Sequence, residues 1–97
     1  MRLNSQTFYI SGSAGEAALT QGESLLLIAF CRAAGQTLER WQMMQLVDTK
    51  DKGLVAANIE MRISSLRKKL SSCGAAADAI RTLRGFGYAL SCKIEVI

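Results

Sequence analysis

Between Asn58 and Leu90 the chain changes its hydrophobic period, and that change limits what it can fold into. In Asn-Ile-Glu-Met-Arg-Ile-Ser-Ser-Leu-Arg-Lys-Lys-Leu (58–70), Ile59, Ile63, Leu66 and Leu70 recur at steps of four, three and four. The spacing is helical, and at roughly 100° per residue it gathers the four side chains within about 60° of one another. In Ile-Arg-Thr-Leu-Arg-Gly-Phe-Gly-Tyr-Ala-Leu (80–90), small or apolar residues alternate with basic ones around two glycines. That pattern predicts a tight basic hairpin. A helix with one buried face, followed at once by such a hairpin, suits a groove-plus-backbone reader of nucleic acid.

The rest of the helix surface follows from the same spacing. Ala57, Met61, Ser64 and Lys68 fall opposite the apolar stripe, with Asn58 and Ser65 beside them. Arg62 and Lys69 share one flank; Glu60 and Arg67 share the other. Small side chains let a backbone approach a major groove closely. Arg62 suits a guanine edge or a phosphate, Asn58 an adenine edge, and Met61 a thymine methyl. In the hairpin, Gly85 and Gly87 supply the freedom a sharp reversal needs. Arg81 and Arg84 lie close to the tip, where a guanidinium suits a narrow minor groove or bridges phosphates. Thr82 offers a hydroxyl and a backbone N–H to phosphate. Phe86 is expected at the surface, Tyr88 and Leu90 in the core. Each polar residue, taken singly, suits plain solvated surface equally well.

Charge sharpens the reading. Residues 53–97 carry seven basic and three acidic side chains, a surplus equal to the whole net charge of +4. Six of those seven basics lie between Arg62 and Arg84, opposed there only by Asp78. Such asymmetry suits a polyanionic partner. The apolar fraction of 49% argues against a disordered chain, and 97 residues fit one domain. The longest strongly apolar run, Leu25–Cys31, is far too short to span a bilayer. With no secretory pattern at the start, the expectation is a cytoplasmic chain without a membrane role. Cys31, Cys73 and Cys92 have no metal spacing and no histidine accompanies them, and Cys31 reads as a small core residue. The usual acid–base and nucleophile constellations are absent, so no catalytic residue, metal or cofactor is expected, and no enzyme.

Upstream, residues 1–19 read as short strands: Phe8-Tyr9-Ile10, a turn over 11–15, and Ala17-Ala18-Leu19 returning. Thr20 and Glu23 have capping-box spacing and open a helix carrying Leu25, Leu26, Leu27, Ile28 and Phe30, which Gly35 is placed to end. Thr37 is expected to cap a second helix with Trp41, Met44, Leu46 and Val47 at helical spacing. Asp48–Gly53 reads as a loop, a third helix as 54–72, and 79–97 as the hairpin and a last strand. The class is α+β.

Leu66-Arg-Lys-Lys-Leu70, then Ile80-x-Thr82-Leu-Arg84-Gly85-x-Gly87-Tyr88-x-Leu90, with Leu19-Thr20-x-x-Glu23 upstream, resembles the OmpR/PhoB-type winged-helix effector domain of bacterial response regulators. The resemblance covers nearly the whole chain as a single domain. It implies a winged helix-turn-helix: an N-terminal antiparallel four-stranded sheet, three helices, and a C-terminal β-hairpin wing. It implies a transcriptional regulator that binds double-stranded DNA as a dimer or tandem pair. The recognition helix would lie in the major groove, the wing on the minor groove and backbone, and the loop Asp48–Gly53 against RNA polymerase. The DNA-binding residues expected from the residue pattern and the resemblance taken together are Asn58, Met61, Arg62, Ser65, Arg67, Lys68, Lys69, Thr82, Arg84 and Gly85. The family often has arginine where Ala57 stands, basic residues at Ser64 and Ser65, and serine at Glu39. Fewer phosphate contacts and a flatter salt dependence are therefore expected. The alternative is a winged helix used for protein–protein contact through Ala57, Met61, Ser64 and Ser65, with weak or no DNA binding.

Overall fold

The computed structural model describes residues 1–46 and 55–97, with side chains from residue 59 onward in the second stretch. Among these residues the chain forms seven strands and three helices, an α+β winged helix as the sequence predicts. Strands β1 (Arg2–Leu3), β2 (Tyr9–Gly12) and β3 (Gly15–Ala18) make an antiparallel meander. Its fourth strand comes from the other end of the chain: β7 (Glu95–Val96) pairs parallel to β1, giving the order β3-β2-β1-β7. An Asx turn starts the meander, with Asn4 Oδ1 accepting from the backbone N–H groups of Gln6 and Thr7.

Helix α1 (Gln21–Arg32) starts at the expected capping box. Thr20 accepts from the Glu23 backbone N–H, and the Glu23 carboxylate accepts from that of Thr20. Its Leu26, Leu27 and Phe30 are fully buried, while Leu25 is exposed. The helix stops at Arg32, and Gly35 (φ +65°) lies in a 3-10 turn over Ala34–Gln36 rather than at the cap itself.

The expectation at Thr37 needs correction. Thr37 does not cap a helix but opens β4 (Thr37–Glu39), which pairs with β6 in a second antiparallel sheet. Helix α2 (Arg40–Leu46) begins three residues later, and Gln42 reaches back to accept from the Glu39 backbone N–H. The inward residue of α2 is Met43, fully buried; Trp41 and Met44, expected on its apolar stripe, are exposed. Leu46, expected on the same stripe, is partly buried against the core, and Val47 lies outside the described residues.

Helix α3 (Val55–Ser72) carries the predicted stripe, with Ile59, Ile63, Leu66 and Leu70 at 0–1% exposure against α1, α2 and the strands. Burying each of these contributes about 1.5–3 kcal/mol. The wing is β5 (Ile80–Leu83) and β6 (Gly87–Leu90), and the second sheet runs β4-β6-β5. Tyr88 and Leu90 return to the core as expected, and Phe86 is exposed at the tip.

The two wing glycines answer different needs. Phe86 N–H donates to the Leu83 carbonyl, closing a turn in which Gly85 takes φ +75° with open space around it. Gly87 is required by proximity: a Cβ there would collide with the Leu38 carbonyl oxygen of β4.

Candidate nucleic-acid interface

Both flanks of α3 are tied down, each by a different chemistry. On the flank of Arg62 and Lys69, helix α1 presents Glu23, which is 3% exposed. Its carboxylate accepts from Ser65 Oγ (2.6 Å), from Lys69 Nζ (2.7 Å) and from the Thr20 backbone N–H (2.8 Å). Burial pushes this carboxyl up, but the hydrogen bonds from Lys69, Ser65 and Thr20, with the Lys69 charge, outweigh it and hold Glu23 below the ordinary carboxylate range. The charged form is thus built into the fold.

Arg62 lies one turn earlier on the same flank. Its guanidinium rests over Gly22 of α1, in space that any Cβ at that position would take. Its Nε is buried without a hydrogen-bond partner. A buried guanidinium donor left unsatisfied is costly, so this side chain gains by meeting an acceptor.

The opposite flank faces α2 and the wing. Arg40 Nη1 pairs with Glu60 at 3.6 Å, joining the start of α2 to α3. Arg67 donates from Nε to the Ile80 carbonyl (2.9 Å) and from Nη2 to Thr82 Oγ1 (3.0 Å). One guanidinium therefore fixes the wing strand against the helix at two points, as its planar fork allows. Thr82 Oγ1 accepts in this bond, so its own hydroxyl proton remains available to an outside acceptor.

The ten residues expected to meet DNA thus fall into distinct groups. Met61 (68% exposed) and Lys68 stand on the open face of α3, with Thr82, Arg84 and Gly85 on the exposed wing. Ser65 and Lys69 are turned onto Glu23, because a buried carboxylate needs partners, and Arg67 is turned onto β5. These three side chains are thus engaged within the domain. Arg62 lies between the two groups. The side chains of Ala57 and Asn58 and the loop Asp48–Gly53 lie outside the described residues. Ser65, part of the docking face expected in the alternative, is engaged by Glu23 in the same way.

Several participants were missed from sequence. Glu23 shows its capping role locally, but its partners Ser65 and Lys69 are 42 and 46 residues away. Trp41 and Arg40 carry no local signal beyond an aromatic beside charges at a helix start. With Phe86, they line an open groove of about 560 Å³ between α2 and the wing, which also includes Glu39, Thr82 and Arg84.

Cys31 and Cys92 are partly buried, which pushes both thiols up, and Cys73 is fully buried. None is set up as a nucleophile. Among the described residues there is no cluster able to hold a metal ion, and no helix is long and apolar enough to cross a membrane.

Comparison with known proteins agrees with this architecture. Residues 14–90 match the family described as transcriptional regulatory protein, C terminal. Regulatory protein VirG of Agrobacterium tumefaciens is 32% identical over 87 residues, 90% of this chain and 33% of the relative. The atypical response regulator protein ChxR of Chlamydia trachomatis is 39% identical over 77 residues, 79% of this chain and 33% of its own. The transcriptional regulatory protein AruR of Pseudomonas aeruginosa is 35% identical over 79 residues, 81% of this chain and 32% of its own. The chain spans about a third of the length of these relatives. With the wing, the capped first helix and the helix α3 stripe all in place, the chain belongs to the transcriptional regulatory protein C-terminal family, the OmpR/PhoB-type DNA-binding domain.

Proposed function

We propose that this domain binds double-stranded DNA sequence-specifically, with α3 in the major groove and the wing on the minor groove and backbone. The observation that carries the reading is the Arg67 bridge to Ile80 and Thr82, which holds the α3 face and the wing as one rigid reader. The cations turned outward, Lys68, Arg81 and Arg84, supply the phosphate attraction, and Arg62 joins them by leaving Gly22. Met61 is the exposed apolar group for a thymine methyl. In this reading the domain works in the cytoplasm as the DNA-binding part of a transcription regulator. It sits as a homodimer or tandem pair on repeated half-sites, and the loop Asp48–Gly53 is its contact with RNA polymerase.

The test is fluorescence anisotropy with a random-sequence duplex pool, titrated from about 50 to 200 mM salt, followed by selection of a preferred site. Steeply salt-dependent binding, weakened by Arg62→Ala and Arg84→Ala in folded protein, is the expected result. Unchanged affinity in both variants would overturn the assigned face.

A further inference from the structure

The groove between α2 and the wing has a composition that a purely electrostatic backbone contact does not need. Two large aromatics stand exposed in it, Trp41 at 55% and Phe86 at 43%. Trp41 Nε1 donates to Glu39 Oε2 at 3.1 Å, so the indole is held in place by its polar edge. Arg40 and Arg84 also line the groove. Its boundaries continue into the helix α3 face at two points, through the Arg40–Glu60 pair and through Thr82, which accepts from Arg67.

Resting on the DNA-binding reading above, we infer that this groove is a seat for one sugar–phosphate strand of the duplex, with Trp41 and Phe86 packing on deoxyribose and Arg84 on the adjoining phosphate. A duplex laid along α3 and gripped by the wing passes over the groove, since both of its walls are joined to those elements. Deoxyribose offers a C–H face that suits an indole or phenyl ring, and burying it adds affinity that salt does not screen. Glu39 would repel a phosphate, but Trp41 engages its Oε2, and Arg84 lines the same groove together with Arg40, which is shared with Glu60. The Thr82 hydroxyl adds a donor on the same wall.

Trp41 is the only tryptophan in the chain, so its fluorescence reports on the surroundings of this one side chain. The experiment is acrylamide quenching of Trp41 in the folded domain, free and at saturation with a duplex whose binding is followed in parallel by anisotropy. The expected result is strong protection of Trp41 in the complex. Trp41→Ala and Phe86→Ala should each weaken binding roughly five- to ten-fold with an unchanged salt slope, while Arg84→Ala lowers the slope by about one. Both aromatics are exposed, so unchanged circular dichroism and thermal midpoint are expected to accompany the loss. A duplex that binds while Trp41 stays equally open to acrylamide, with Trp41→Ala binding as tightly as the parent, would overturn the inference. The groove would then be free in the DNA complex and open to a protein partner. Absence of any duplex binding at low salt would instead overturn the DNA-binding reading itself.

Discussion

Glu23 is the buried polar residue that ties helix α1 to helix α3. It closes the capping box of α1 and holds Ser65 and Lys69 of α3, three hydrogen bonds on a carboxylate that water scarcely reaches. Glu23→Ala leaves Lys69 and Ser65 without their acceptor and removes half of the capping box. We expect a loss of about 2–4 kcal/mol in urea unfolding. Because the carboxyl is held below its ordinary value, its stabilisation is present above the unfolded carboxylate pKa and is lost as pH falls through the folded value. The stability gap between the parent and Glu23→Gln should therefore be widest near neutrality and narrow as pH drops below about 4.5, in denaturation series at several pH values. Gly22 gives a contrasting case. Alanine there meets only the far end of Arg62, which can swing toward solvent. Gly22→Ala should leave stability unchanged or raise it by up to about 1 kcal/mol.

At the scale of elements, the wing is positioned by α3 and β4 as much as by its own turn. Arg67 attaches β5 to α3, and no other residue type supplies two parallel donors from one side chain so far from its backbone. Arg67→Lys keeps the charge but not the fork. Both Arg67→Ala and Arg67→Lys should speed amide hydrogen exchange in Ile80–Leu83 and weaken DNA binding about ten-fold, a loss that charge removal alone would not produce for lysine. The glycines separate in the same manner. Gly85→Ala should cost about 1–2 kcal/mol through its positive φ, with no clash. Gly87→Ala should cost about 1–3 kcal/mol by forcing β4 from β6, and cross-strand amide protection at Thr37–Glu39 should fall with it.

For the whole molecule, the number of outward cations governs how binding responds to salt. Lys68, Arg81 and Arg84 are exposed, and in the proposed complex Arg62 is the fourth. One domain should therefore show a slope of log affinity against log salt of about −3 to −4, at roughly 0.9 per phosphate, and two domains on paired half-sites about twice that. Lys69 contributes nothing to this count because Glu23 neutralises it, so Lys69→Ala should lower stability while leaving the slope unchanged. The fold was largely legible in advance, since the 3.6-residue stripe of α3, the Thr20–Glu23 box and the glycine-centred wing are local patterns set by backbone geometry. The family followed from those same motifs. Less local features were not legible. Thr37 looks like a helix cap until β6 is present to pair with it, and Trp41 looks like a core residue until packing turns Met43 inward instead. The candidate site divides along the same line. Periodicity correctly put Arg62 with Lys69 on one flank of α3 and Glu60 with Arg67 on the other. Only packing decided that Lys69 faces Glu23 and that Arg67 grips the wing, because partners 46 and 15 residues away are brought within hydrogen-bond reach by the burial of apolar faces, and no local pattern encodes that.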